Sequence, residues 1–218
     1  MKKFIFLIAL FFGALKLPAQ DCTQYVYMQK GKTIETTSYN AAGVVTGKIV
    51  HYIADVTTVN GTTTETVNTS YFDKNGNPGG TKNIVYKCNG GKFMMDMSAN
   101  NPQQAGVSMS TSYIEYPANM RVGDHFKDVD MKMDMTMGGK TYKAESKITD
   151  RQVVGEESIT TPAGTWHCLK ITYKTTSSFE GMNMPARTME STEWYAANFG
   201  IIQFQVGSFM TTRITAIK

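Results

Sequence analysis

The residues best placed to do chemistry are methionines. Val129, Met131, Met133, Met135 and Met137 fall at every second position, with Asp130, Lys132, Asp134 and Thr136 between them. Thioethers are soft ligands that favour Cu(I), and Met94-Met95 and Met182-Asn183-Met184 would add further sulfurs. The spacing argues against copper. Successive side chains of a strand point to opposite faces, so these sulfurs spread along a row instead of converging on one ion. Met also fills irregular apolar space well. Met131, Met133, Met135 and Met137 are therefore expected to line a packed core or a lipophilic cavity, with Cu(I) handling as the lesser alternative.

Other chemistries find less support. Asp73, Asn75 and Asn77 resemble the opening of a calcium loop, but the sixth and twelfth positions are Pro78 and Ile84 where Gly and an acid are needed. The histidines His51, His125 and His167 are isolated, with no paired motif to seed a zinc site. His167 next to Cys168 suggests a thiolate–imidazolium pair, yet strand neighbours face opposite ways and cannot readily hydrogen-bond to each other. Neither a Gly-x-Ser-x-Gly elbow nor a phosphate-cradling glycine loop occurs, and Asp128, Asp130 and Asp134 read as a solvated strand face. We expect no catalytic residue, no cofactor and no resident metal.

What must position these residues is a set of strands. Val129–Met137, then Gly138-Gly139, then alternating Tyr142, Ala144, Ser146 and Ile148 predict a tight hairpin. Lys48 to Thr58, Thr62 to Phe72, Asn83 to Cys88 and Lys92 to Met97 have strand composition, separated by Asn/Gly/Pro turns. Trp166 to Thr175 follows the turn Thr161-Pro162-Ala163-Gly164 and puts Leu169, Ile171 and Tyr173 on one face. With Tyr142, these complete the candidate cavity wall. Thr188 to Tyr195, Ile201 to Gln205 and Met210 to Ile217 end the chain. The fold class expected is all-β: an antiparallel meander forming a curved half-barrel or sandwich-like sheet. Helices should be few and short, with one candidate near Asn100 to Ala105.

The first residues read as a cleavable signal peptide over 1–19. Lys2 and Lys3 precede an apolar run from Phe4 to Leu15, and Ala19 offers the cleavage site. The run is too short to span a bilayer, which takes roughly 20 apolar residues, and no later stretch qualifies. Cys22 lacks the small residues that a lipidated cysteine needs before it, since Gln20 and Asp21 stand there. We expect an exported product, periplasmic or extracellular and soluble, with residues 20–218 as a single β domain. Cleavage takes Lys+Arg from 22 to 19 against 18 acidic residues, so little net charge remains and nucleic-acid binding is not expected. Cys22, Cys88 and Cys168 meet an oxidising compartment and allow three pairings. Cys22–Cys88 is preferred because Cys88 shares an alternating face with Ile84 and Tyr86; three buried thiols is the competing reading.

Three stretches carry a family resemblance: Glu115-Tyr116-Pro117-Ala118-Asn119-Met120-Arg121-Val122-Gly123-Asp124, Thr160-Thr161-Pro162-Ala163-Gly164-Thr165-Trp166-His167-Cys168-Leu169-Lys170-Ile171 and Glu193-Trp194-Tyr195-Ala196-Ala197-Asn198-Phe199-Gly200-Ile201. With Asp21-Cys22 and Tyr86-Lys87-Cys88-Asn89-Gly90-Gly91, the chain resembles the TapB-like family of exported envelope proteins, a domain of unknown function. The resemblance implies an envelope β protein, with a curved half-barrel like the carriers LolA and LolB, and brings no site residues. Together these readings lead to a non-enzymatic envelope protein that binds a lipid or other apolar ligand in the concavity of its sheet. The alternative is a module that docks on an envelope partner by strand addition.

Overall fold

The computed structural model describes Cys22 and residues 25–98, 107–137, 139–181 and 184–218. The signal segment and the helix candidate at 100–105 lie outside the described residues. Thirteen strands follow in order: β1 (Thr33–Asn40), β2 (Val45–Val59), β3 (Thr62–Asp73), β4 (Pro78–Asn89), β5 (Lys92–Asp96), β6 (Val107–Met109), β7 (Tyr113–Pro117), β8 (Val129–Met137), β9 (Lys140–Thr161), β10 (Gly164–Glu180), β11 (Arg187–Ala196), β12 (Gly200–Val206) and β13 (Met210–Ile217). All belong to one antiparallel sheet, ordered β6-β8-β9-β10-β11-β12-β13-β1-β2-β3-β4-β5-β7. It is neither a sandwich nor a closed barrel. Among the described residues the helical content is 3-10 alone, at Cys22 and over Val26–Met28.

Turn chemistry explains most of the meander. Met137 pairs with Lys140 across the two-residue Gly138-Gly139 connection, as the spacing predicts. Asn60 and Gly61 both adopt positive φ, which a tight turn between β2 and β3 requires. At the end of β3, Asp73 Oδ1 accepts from the amides of Asn75 and Asn77, each at 2.8 Å, so the calcium-like loop is a self-capped hairpin turn.

The first and last strands meet, because β1 lies beside β13. The sheet edges meet too. β6 and β7 occupy opposite edges, yet only Ser110, Thr111 and Ser112 separate them. Three extended residues reach roughly 11 Å, so the sheet must curl until its margins face each other. Ser110 N donates to Lys132 O, and Met97 N donates to Ser112 O, each at 2.9 Å. The bridging residues thus bond to β8 on one side and continue β5 on the other.

Ile34, Ile53, Val67, Ile171, Ile202 and Ile214 are fully buried on the concave face. The 3-10 turn plugs this concavity: Tyr25, Val26, Tyr27 and Met28 are all buried. Tyr25 stacks on Phe93 with centroids 4.9 Å apart, and Tyr27 leans on Tyr86 at 5.2 Å. A disulfide joins Cys22 to Cys88 and ties the plug to β4.

Candidate functional site

The curled sheet leaves a cavity of about 450 Å³. Its wall is mostly apolar: Met95, Met97, Met131, Met189, Ile49 and Ile114 come from β2, β5, β7, β8, β11 and the end of β5. Tyr27 of the plug and Tyr86 add aromatic surface. The volume falls in the range of small-molecule sites, ~300–1,000 Å³.

Polar groups interrupt the wall at two places. On β11, Glu193 accepts hydrogen bonds from Tyr173 Oη at 2.8 Å and Tyr116 Oη at 2.9 Å. Arg151 lies behind it, with Nη2 3.9 Å from Glu193 Oε2 and both side chains almost wholly buried. The guanidinium sits over the rings of Tyr116 and Phe126, at 4.4 and 4.5 Å. Burial, followed by the nearby Glu193, pushes both phenols well above the usual tyrosine range.

On β1 and β2, Thr36 and His51 border the same cavity. His51 Nδ1 lies 3.1 Å from Thr69 Oγ1, and burial, aided by Lys82, lowers its pKa to about 4. Its ring is neutral near pH 7. The buried Thr36 hydroxyl has no hydrogen-bond partner among the described residues. Nearby on β3, Glu65 is fully buried with both oxygens unpartnered, and burial raises its pKa to about 9.

The residues expected from the sequence divide among several places. Met131 and Tyr173 line the cavity. Ile171 is fully buried in the core, and Leu169 packs half-buried against it. Met133 borders a separate cavity of about 220 Å³ with Met131, Met109 and Phe179. Met109 was not singled out from the sequence; it is the direct cross-strand partner of Met133. Tyr142 is half-buried and packs near Gly181. Met135 and Met137 pair with Tyr142 and Lys140 in the ladder, and their side chains lie outside the described residues. His167 is exposed, 3.2 Å from Glu156, whereas Cys168 is buried with its pKa raised by burial to about 11. A thiol so held does not serve as a nucleophile at neutral pH.

The seam between the sheet margins forms a second cleft, also about 450 Å³, with β7 on one side and 125–129 on the other. Met97 N donates to Ser112 O and Ala118 N to Gly91 O, so the even-numbered residues of β7 bond to β5. Tyr113, Glu115 and Pro117 consequently turn their main-chain groups toward the cleft. Arg151 Nη1 donates to Glu115 O at 2.7 Å, and Pro117 has no N–H to offer.

Comparison with solved structures finds the same fold in other chains. A protein of Parabacteroides distasonis, described as a lipoprotein, superposes with TM-score 0.75 at 22% identity, covering 91% of this chain and 100% of that one. A protein of Bacteroides fragilis, described as exported and of YmcC-like fold, gives TM-score 0.68 at 24% identity, covering 87% of this chain and 96% of that one. No curated protein matches the sequence. The DUF3108-like family matches residues 29–205, most of the chain, and the protein belongs to that family.

Proposed function

We propose that this is a non-enzymatic, exported envelope protein that binds an apolar ligand within its curled sheet. The supporting observation is the methionine-walled cavity of about 450 Å³. A methylene occupies about the ~30 Å³ of a liquid water, so the space suits an acyl chain on the order of ten to fifteen carbons. Four thioethers in the wall give an adaptable surface that follows chains of different shape. The fold shared with the Parabacteroides distasonis and Bacteroides fragilis proteins supports the reading at the level of fold alone. Native mass spectrometry of protein purified from envelopes tests it, alongside thermal melts with C10–C16 amphiphiles. A co-purifying lipid and a raised Tm are expected; the absence of both refutes the reading.

A second reading is docking by strand addition, favoured by the open edge of β7 facing the seam cleft. A photo-crosslinking residue in place of Thr111 should then capture an envelope partner in cells. No crosslinked product would remove this reading and leave the first.

A further inference from the structure

We propose that the cavity selects an uncharged amphiphile, an acyl chain with a hydroxyl or ester head, and discriminates against the free fatty acid. The inference rests on the apolar-ligand reading and specifies its ligand class. The polar groups around the cavity supply hydrogen bonds and a carboxylate, and among the described residues no cationic head is turned into it.

Glu193 is a carboxylate in the wall, and among the described residues the cation beside it is Arg151, which does not line the cavity. Arg151 Nη1 is held by Glu115 O and the guanidinium by the two aromatic rings, while its buried Nε and Nη2 have no hydrogen-bond partner among the described residues, and Nη2 faces Glu193 at 3.9 Å. Among the described lining residues Arg213 is the other cation, but the ladder turns it away. Arg213 pairs with Thr37 and Gln203, and Thr37 pairs in turn with the exposed Lys48. The adjacent Ile214 is fully buried, so the Arg213 side chain leaves on the opposite face, where its guanidinium covers Tyr39 at 4.4 Å with Nε buried and without a hydrogen-bond partner among the described residues. An anionic head entering the cavity would lose its water and approach the Arg151–Glu193 pair from the Glu193 side.

Neutral polar atoms are what the opposite wall offers. Thr36 pairs with Ile49, and His51 pairs with Ile34, which makes Thr36 and His51 diagonal neighbours on one face. The Thr36 hydroxyl is buried without a partner, an arrangement that costs stability unless something fills it. With His51 Nδ1 engaged by Thr69, Nε2 is the ring nitrogen left for a ligand. A hydroxyl or ester carbonyl can bond to both groups and needs no countercharge.

The test uses N-phenyl-1-naphthylamine, an uncharged apolar fluorophore, displaced at pH 7.5 by two C12 competitors: monododecanoylglycerol and sodium dodecanoate. The ester should displace the probe at a concentration lower by roughly tenfold. Thr36→Val and His51→Phe, each verified to melt cooperatively, should weaken the ester by roughly fivefold relative to the probe's own affinity for the same variant. Glu193→Gln should narrow the gap between ester and carboxylate. Probe binding with dodecanoate equal to or better than the ester overturns the selectivity and leaves the cavity reading standing. Failure of the probe and of both lipids to bind overturns the cavity reading itself, and the selectivity falls with it.

Discussion

Replacing Glu65 with Gln should stabilise the fold at every pH above the ordinary carboxyl value of 4.5, by an amount that grows as pH rises. Glu65 is fully buried, neither oxygen has a partner, and its pKa in the fold is about 9. Between 4.5 and about 9 the folded chain holds a proton there that the unfolded chain has released. The stability tied to this proton is complete below 4.5 and is lost as pH climbs toward 9. Each pH unit costs about 1.4 kcal/mol, so by pH 7.5 the wild type forgoes on the order of 4 kcal/mol. That is a large part of the ~5–15 kcal/mol that holds a typical domain together. Gln has nearly the same shape and never ionises, so it avoids the loss.

Urea unfolding of both proteins at pH 5.5, 7.0 and 8.5, followed by the fluorescence of Trp166 and Trp194, measures the difference directly. The gap should widen by about 1.4 kcal/mol per pH unit. His51 acts in the other direction, because its pKa falls from 6.5 to about 4 on burial. Its contribution is complete above 6.5 and is lost as pH drops toward 4. The two slopes oppose each other between 4.5 and 6.5, so the wild type should show a plateau there and decline above it. A gap that stays constant from pH 5.5 to 8.5 would mean that Glu65 is ionised in the fold, and the reasoning would be wrong.

Four further outcomes follow from the same geometry. Cys22→Ser with Cys88→Ser opens a loop of 66 residues and should cost about 4 kcal/mol in the chain-entropy picture, read by the same urea titration. Tyr173→Phe removes a 2.8 Å hydrogen bond to Glu193 and should cost about 2 kcal/mol, with little change in exposed surface and hence in m-value. Cys168 should resist iodoacetamide at pH 8 in the folded protein and react fully in urea, because burial holds its thiol protonated at a pKa of about 11. Gly200→Ala should cost about 1–3 kcal/mol and lower Tm, since Gly200 has φ +119° and a methyl there would sit 3.0 Å from the Tyr27 ring.

Local pattern carried the strands, and long-range geometry carried the site. The Gly138-Gly139 hairpin could be read because side-chain alternation and turn residues are encoded within a few positions. The face shared by Ile84, Tyr86 and Cys88 likewise put Cys88 inside, where Cys22 meets it. The closing of the seam was not readable, since nothing within 107–117 marks the strand as leaving β8 for β5. β9 runs for 22 residues, through the positive φ of Asp150, where only its start was predicted. Tyr116, Arg151, Tyr173 and Glu193 are spread over 77 residues, and no spacing rule joins them. Signals did exist. Tyr116 and Glu193 both fall inside stretches that carried the family resemblance, and the two side chains touch. Glu65 shares an alternating face with Val67, so a carboxyl on the buried side of β3 could have been flagged from periodicity alone.

Arg151 explains why such a costly cluster can persist in the wall of an apolar cavity. Removing a guanidinium from water is expensive, and a buried ion pair seldom repays the loss through its own attraction. Here one side chain has two structural tasks. Nη1 holds the main chain of Glu115 at the unpaired margin of β7, and Nη2 faces Glu193 in the cavity wall. Glu193 in turn gathers the phenols of Tyr116 and Tyr173, which belong to β7 and β10. The network therefore fastens the free edge of an open sheet to strands on the opposite side of the seam, where β7 has no ladder partner among the described residues. An apolar replacement would fill the volume without making that link. On this account the charge in the cavity wall follows from leaving the sheet unclosed, and the preference for an uncharged ligand head follows from the charge.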